Sequence, residues 1–223
     1  VLLRLYVILF RINLRCARFK MAKMGSKKKR LLFISQSSPF PIFADGATLR
    51  VYFLLKEWVN EFDCHLLCFG TGREIETDLI QLCPHDLVPY SRRVGLVGSL
   101  ARVVSAKRYY SSQFANLVSR RVSEFSPNLV FVEQCFMAQY APQIGALPKL
   151  LSAVDAMSLS ATKEAELSRS AINRMIWRYV AFQRRCIEKK FFPLFDVVTA
   201  VAKDDTDYLS RICRCPVKTI PNG

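Results

Sequence analysis

Polar residues that could bind a ligand stand at the ends of four apolar runs in the sequence. Ligands bind at the carboxyl ends of the strands in an open parallel α/β sheet, so such endings are predicted to line one crevice. The four endings are Ser35-Gln36-Ser37-Ser38, Gly70-Thr71-Gly72, Glu133-Gln134-Cys135 and Val154-Asp155-Ala156.

A second candidate feature is Asp45-Gly46, which precedes a segment of helical spacing that contains Arg50. The N–H groups at the start of a helix can receive an anionic or hydroxylated ligand. An Asp-Gly pair before a helix is also an ordinary turn and N-cap, and Asp155 could equally cap a helix. The residue types alone leave the binding role and the structural role open for both aspartates.

Eight cysteines and two histidines raise the question of a metal site. Cys64 and Cys68 flank His65, and Cys213 and Cys215 flank one arginine, but neither pattern is the Cys-x-x-Cys spacing of a zinc site. Neighbouring residues on a strand point to opposite faces, which separates Cys64 from His65. We therefore expect reduced, buried cysteines of a cytosolic protein and no metal site.

Three common motifs of nucleotide-binding and hydrolytic enzymes are absent from the sequence. The first predicted loop lacks Gly-x-Gly-x-x-Gly, which disfavours a dinucleotide-dependent oxidoreductase. The phosphate-binding pattern Gly-x-x-x-x-Gly-Lys-Ser/Thr is missing, which disfavours a P-loop NTPase. No Gly-x-Ser-x-Gly elbow occurs, which disfavours an α/β-hydrolase.

The apolar runs alternate with segments of helical spacing. This alternation predicts an α/β fold with a doubly wound parallel sheet over residues 31–223. Uninterrupted apolar runs are typical of strands buried on both faces, so strands one, four, five and six are predicted to be central. Strands are predicted at 31–35, 64–69, 86–89, 129–132, 150–154, 196–201 and 217–220, and helices at 47–62, 97–104, 111–125, 204–212 and in two parts of 160–192.

Positive charge is concentrated at the start of the chain. Residues 1–30 contain ten Lys and Arg and no acid, so they carry +10 of the net +15 and leave +5 for the rest. This leader could lie on an anionic membrane surface together with Arg102, Lys107 and Arg108. These residues could also be a disordered leader, or a segment included because translation begins upstream of Met21 or Met24. No aromatic stacking platform accompanies the basic residues, so nucleic-acid binding is not expected.

Five segments of the chain, taken in order, resemble the N-terminal domain of GT-B glycosyltransferases of family four, the glycosyl transferase group 1 kind. Those proteins open with a strand, a proline-containing loop, a glycine turn and an arginine that begins a helix. The resemblance spans about 31–223, and subfamilies that make exopolysaccharide are closest. The matching segments are 31–50 (LLFISQSSPFPIFADGATLR), 128–140 (NLVFVEQCFMAQY), 151–158 (LSAVDAMS), 187–209 (IEKKFFPLFDVVTAVAKDDTDYL) and 219–223 (TIPNG).

The resemblance implies a two-domain enzyme of polysaccharide or glycolipid biosynthesis, located in the cytoplasm or peripherally on the cytoplasmic membrane face. Its N-terminal domain binds a saccharide or lipid-linked acceptor, and its C-terminal domain binds most of the nucleotide-sugar donor. No metal or other cofactor is implied, because protein groups neutralise the leaving diphosphate. Gly46 corresponds to the glycine turn that approaches the donor phosphates, Asp155 to a polar residue that faces the reacting sugar, and Glu133 and Gln134 to the acceptor side.

The chain departs from the family at three points. It has Gly46-Ala47 where the family often has two glycines, and a β-carbon there narrows the approach of a phosphate to the backbone. It has Ala202 where the family often has serine. It stops at Gly223, so the donor domain is expected to be missing and the isolated chain to be inactive. The alternative function is a noncatalytic binding or membrane-docking subunit that pairs with a separate donor-binding domain.

Overall fold

The structure is a computed structural model that describes residues 28–41, 45–70, 81–90 and 109–221. The predicted helix at 97–104 lies outside these ranges. So do Arg102, Lys107 and Arg108, and the leader up to residue 27. The predictions made for those segments therefore remain predictions.

Strands and helices alternate along the described chain, as the apolar pattern predicts. The strands are β1 (Lys29–Ser35), β2 (Phe62–Gly70), β3 (His85–Pro89), β4 (Leu129–Glu133), β5 (Lys149–Val154), β6 (Val197–Ala200) and β7 (Val217–Thr219). The helices are α1 (Gly46–Glu61), α2 (Ser112–Phe125), α3 (Ala141–Ile144), α4 (Met157–Leu167), α5 (Ala171–Phe191) and α6 (Lys203–Ile212), with 3₁₀ helices at Cys135–Tyr140 and Phe192–Leu194.

The strands form one seven-stranded sheet in which every pair is parallel, in the order β3-β2-β1-β4-β5-β6-β7. This arrangement confirms the predicted doubly wound α/β fold. Strands β1, β4, β5 and β6 lie side by side inside the sheet, as predicted, and β2 is interior as well. The chain first builds outward from β1 to β3 and then returns to β4. The switch point therefore lies between β1 and β4, and a ligand crevice is expected at their carboxyl ends.

Both faces of the sheet are covered by buried side chains, because alternate residues of a strand point to opposite faces. In β1, Leu32 and Ile34 belong to one core cluster, whereas Leu31 and Phe33 belong to the other. The second cluster contains an aromatic centre in which Phe131 of β4 contacts both Phe33 and Trp58, with ring centroids 5.0 and 4.4 Å apart. This contact packs α1 against the middle of the sheet.

The adjacent residues Cys64 and His65 point to opposite sides of β2, as strand alternation predicts. Cys64 packs in the core beneath α1, whereas His65 Nε2 lies 2.8 Å from Asp86 Oδ2. The seven cysteines that the structure describes are free thiols, and five of them are buried. Burial raises the pKa of the Cys83 thiol to about 12, so this thiol stays protonated at neutral pH.

The 3₁₀ helix after β4 was not predicted from the sequence. All six of its residues, Cys135–Tyr140, are buried, and Tyr140 Oη donates to the carbonyl oxygen of Tyr109 at 2.7 Å. A segment that is buried on every side has no polar face, so it shows no helical period in the sequence.

Removal of the Phe131 ring is expected to destabilise the fold strongly. Phe131 is fully buried in the central strand, so Phe131→Ala leaves a cavity and should lower the free energy of unfolding by about 3–5 kcal/mol. The matched control is Phe53→Ala on α1, because the Phe53 side chain is 53% exposed and should cost far less. Urea denaturation of both variants measures the difference, and equal losses would contradict the assigned core.

Candidate functional site

Helix α1 begins beside the switch point, and its start is fixed by Asp45. The Asp45 carboxylate accepts hydrogen bonds from the backbone N–H of Thr48 at 2.7 Å and from the Thr48 hydroxyl at 2.9 Å. This is the geometry of a helix N-cap. Of the two roles that the sequence left open for Asp45, the structure therefore shows the helix-capping role. A β-carbon on the residue that follows, Gly46, would meet no heavy atom of the described residues within 4 Å.

Arg50, one turn into α1, joins the helix to the ends of two strands. Its Nε donates to Glu133 Oε1 at 2.7 Å, and a second guanidinium nitrogen donates to Ser152 Oγ at 3.2 Å. Glu133 is the last residue of β4, and Ser152 lies in β5. The guanidinium therefore lies across the carboxyl ends of the strands on one side of the switch point.

Glu133 is a buried carboxylate, only 1% exposed. Burial raises its pKa, while the positive charge of Arg50 and hydrogen bonds with Ser152 and Arg50 act in the opposite direction. Its second oxygen, Oε2, is also buried and accepts no hydrogen bond within the described part of the chain. Buried polar atoms are almost always paired, so this oxygen marks a position where a further donor is expected.

Asp155 follows β5, and its side chain is exposed. Partial burial and the negative charge of Asp205 raise the pKa of the Asp155 carboxyl, and the charge of Arg50 lowers it by a smaller amount. Asp205 lies in the first turn of α6. Asp155 does not cap α4, whose N-cap is Ala156 without a side-chain hydrogen bond. The Asp155 carboxylate therefore carries no helix-capping role.

Two residues at this edge have left-handed backbone angles that disfavour side chains. Gln134 follows Glu133 with φ of 74°, and Val154 precedes Asp155 with φ of 67°. The N–H of Asp155 donates to the carbonyl oxygen of Ala153 at 2.9 Å, so Val154 occupies the centre of a tight turn. A β-branched residue with positive φ is strained, and such strain is concentrated at functional sites. Neither position is glycine, so no residue type in the sequence signals this strain.

The structure therefore gathers most of the predicted site residues at one edge of the sheet. Arg50 contacts Glu133, its charge acts on Asp155, and the N–H of half-buried Gln134 donates to Ser152 O at 2.8 Å. The contribution of Ser152 and Asp205 was missed, because their places depend on strand order. Within the described residues, no group of three or more His, Cys, Asp or Glu is arranged to hold a metal ion. The ligand-binding roles of these residues remain predictions.

Solved structures with a similar fold include sucrose-phosphate synthase from Thermosynechococcus elongatus. The first structure has a TM-score of 0.59 at 14% identity and is matched over 88% of this chain and 48% of that one. A second structure of the same enzyme has a TM-score of 0.50 at 14% identity, over 87% of this chain and 90% of that one. Arabidopsis thaliana UGT89C1 complexed with UDP-L-rhamnose aligns with a TM-score of 0.47 at 10% identity, over 88% of this chain and 49% of that one.

The chain has the Rossmann-like fold of a GT-B glycosyltransferase domain. It spans about half the length of the first sucrose-phosphate synthase structure. At this level of identity the likeness shows the fold and leaves the reaction open. No protein-family model matches the sequence, and no curated protein does.

The Arg50–Glu133 pair predicts a pH-dependent stability defect. Arg50→Met leaves Glu133 buried without its positive partner, which should cost about 3–5 kcal/mol near neutral pH. The pKa of Glu133 is already raised and should rise further without Arg50, so ionisation of Glu133 opposes folding. The defect should therefore be larger at about pH 8 than at about pH 5, as measured by urea denaturation.

Two further variants make the measurement specific to this pair. Lys56→Met changes an exposed cation of the same helix and should have little effect at either pH. The double variant Arg50→Met with Glu133→Leu removes both charges and should recover much of the lost stability. A defect that is independent of pH, or no recovery in the double variant, would contradict the proposed burial of an unpaired charge.

The pKa of Asp155 is expected to respond to Asp205. Asp205→Asn removes a neighbouring negative charge that raises the pKa of Asp155, so the pKa should fall. Carbon NMR titration of the Asp155 side chain measures this change. Asp207→Asn, an exposed aspartate on the same helix, is the matched control and should leave the titration midpoint almost unchanged. Equal responses to both variants would show that Asp155 senses only the general charge of α6.

Proposed function

We propose that this chain is the acceptor-side domain of a glycosyltransferase that transfers a sugar from a nucleotide-sugar donor to a saccharide or lipid-linked acceptor. The observation that carries the proposal is the arrangement around Arg50, which binds Glu133 and whose charge acts on Asp155, on one side of the switch point of a GT-B-like sheet. Ligands of doubly wound sheets bind at this position. The strained residues Gln134 and Val154 flank the same two carboxylates.

In this proposal Asp155 binds the attacking hydroxyl of the acceptor. Its carboxylate is exposed, and its raised pKa makes it a stronger proton acceptor than an ordinary surface aspartate. Asp155 would take the hydroxyl proton while the acceptor oxygen bonds to the sugar carbon. The bond from that carbon to the diphosphate breaks, and the nucleoside diphosphate leaves with the electron pair. The reaction slows as pH falls through the pKa of Asp155, because the protonated carboxyl cannot accept the proton.

Arg50 and Glu133 have a positioning role in this proposal. The pair holds α1 against the ends of β4 and β5, and the unpaired Glu133 Oε2 offers an acceptor for a sugar hydroxyl or a bridging water. Asp45 caps α1 with its carboxylate on Thr48 N–H. A second negative group near that N–H would be repelled by the Asp45 carboxylate, so the proposal assigns no donor phosphate to the Thr48 N–H.

The proposal assigns most donor contacts to a second domain. The chain spans about half the length of the sucrose-phosphate synthase structure that it resembles. Transfer requires preorganised positive groups around the departing diphosphate. The described carboxyl edge offers Arg50, and its charge is already engaged by Glu133. The isolated chain should therefore bind an acceptor without transferring a sugar.

Acceptor binding and transfer can be measured separately on the 223-residue chain. Saturation-transfer NMR with a panel of saccharide and lipid-linked acceptors should detect binding that Asp155→Asn weakens about tenfold, since a hydrogen bond to a charged group is lost. The control is Asp204→Asn, which removes an equal charge from an exposed aspartate in the first turn of α6. Nucleoside diphosphate release from a panel of nucleotide sugars should be absent for the chain alone.

The two measurements have distinct contrary outcomes. Equal acceptor binding by the Asp155→Asn and Asp204→Asn variants would remove Asp155 from the site. Sugar transfer by the chain alone, abolished by Asp155→Asn, would show that no second domain is needed. Binding of acceptor without transfer, even after addition of a donor-binding domain, would instead favour a noncatalytic binding subunit.

A further inference from the structure

Helix α5 exposes a row of large apolar side chains to solvent. Four residues spaced three and four apart share one face of the helix, and each is between 47% and 67% exposed. Extended apolar surface of this kind usually marks an interaction site. The four residues, called here the α5 stripe, are Ile172, Met175, Tyr179 and Phe182.

The opposite face of α5 is packed against the domain, so the α5 stripe is not the face that forms the core. Val180 and Ile187 are buried. Near the end of the helix, Glu188 Oε1 accepts from the N–H of Ser158 at 2.9 Å, and Glu188 Oε2 accepts from the Ser158 hydroxyl. These bonds fix the rotation of α5 against α4 and direct the stripe outward. The first five residues, 171–175, are all exposed, so this end of the helix stands clear of the domain.

The exposed surface of α5 is also strongly basic. The single acidic residue of the helix is Glu188, which is buried. At about 100° per residue, four cations fall along one flank of the stripe, and Lys190 lies at its C-terminal end. The flanking cations are Arg174, Arg178, Arg185 and Lys189, all exposed.

A cavity of about 300 Å³ adjoins the stripe where α4, α5 and α6 meet. Phe182 belongs both to the stripe and to the cavity wall, and Arg178 and Arg185 line the same cavity. Glu166 contributes one negative charge to the wall, so the two arginines leave a net positive charge there. An apolar rim beside paired guanidinium groups suits the junction between a phosphate headgroup and its acyl chains.

We propose that α5 docks on a membrane surface that contains anionic lipids, with the α5 stripe buried at the headgroup boundary and the flanking cations on the lipid phosphates. An amphipathic helix with apolar and basic residues on its exposed side binds such surfaces by burial of the apolar side chains and by attraction of the basic ones to the anionic lipids. A second copy of this chain is a poor partner for the same face, because five cations of one helix would oppose five of the other. The proposal does not depend on the proposed sugar transfer, and the residues that it invokes are those of α5 and not those of the basic leader.

Flotation of the full 223-residue chain tests the proposal with phosphatidylcholine vesicles that contain or lack phosphatidylglycerol. Binding should require the anionic lipid and weaken as salt rises. Arg178→Gln with Arg185→Gln should reduce partitioning at least tenfold, since each cation contributes to attraction by the surface. Ile172→Ser with Phe182→Ser should have a similar effect through lost apolar contact.

A matched control separates α5 from the basic leader. Lys56→Gln with Arg120→Gln removes two exposed cations from α1 and α2, and so changes the net charge by the same amount. This control should retain nearly all of the binding. Equal losses in the control and in the α5 variants, or no loss in either, would overturn the proposal and assign binding to overall charge or to the leader. Urea denaturation should show unchanged stability for every variant, because all the altered side chains are exposed or line the surface.

A fluorophore on α5 gives a second, local readout. Cys186 is exposed and lies in line with the stripe, whereas Cys215 is partly exposed. An environment-sensitive label on Cys186, in a chain carrying Cys16→Ser and Cys215→Ser, should shift to shorter wavelength with anionic vesicles and not with neutral ones. Flotation without any shift would overturn docking through α5. A shift that depends on protein concentration in the absence of vesicles would overturn it in favour of a second copy.

Discussion

Arg50 on α1 and Glu133 at the end of β4 place opposite charges 2.7 Å apart in a region nearly closed to solvent. Burial of two charges costs free energy that their attraction only partly returns, so such a pair contributes little net stability compared with an apolar core. Its contribution is orientation. With Ser152 as a third partner, the guanidinium fixes the start of α1 against β4 and β5, and its positive charge also acts on Asp155.

The backbone around this pair is strained, and the sheet supplies the bonds that hold it. Positive φ angles at Gln134 and Val154 cost on the order of 1–3 kcal/mol each. The N–H of Gln134 donates to Ser152 O, and the Val154 carbonyl accepts from the N–H of Val201. The register of β5 and β6 also shifts between Ser152 and Val154. The turn that presents Asp155 is therefore imposed by the pairing of β5 with its two neighbours, β4 and β6, and not by its own residue types.

The sequence by itself determined the order and kind of the main elements. The runs 31–35, 129–132 and 150–154 are apolar at every position or nearly so, which requires burial on both faces and hence a parallel sheet covered by helices. The break of the long helical stretch near 170 and the separation of Cys64 from His65 follow from local chemistry and strand alternation as well. The gathering of Arg50, Glu133 and Asp155 at one edge of the sheet was predictable only as a general rule about strand ends.

Only the tertiary structure decided which partner each polar group has. Arg50 and Glu133 are 83 residues apart, and Ser158 and Glu188 are 30 apart, so no local spacing connects them. The roles of Asp45 as a helix cap and of Asp155 as an uncapped carboxylate likewise depend on where the neighbouring helices begin. The outward face of α5 could not be read from its sequence, because the helix is apolar on two sides and packing buries one of them. The physical reason is common to all of these cases: local residue patterns report burial and backbone preference, whereas charge pairing and surface exposure depend on the order in which strands and helices meet.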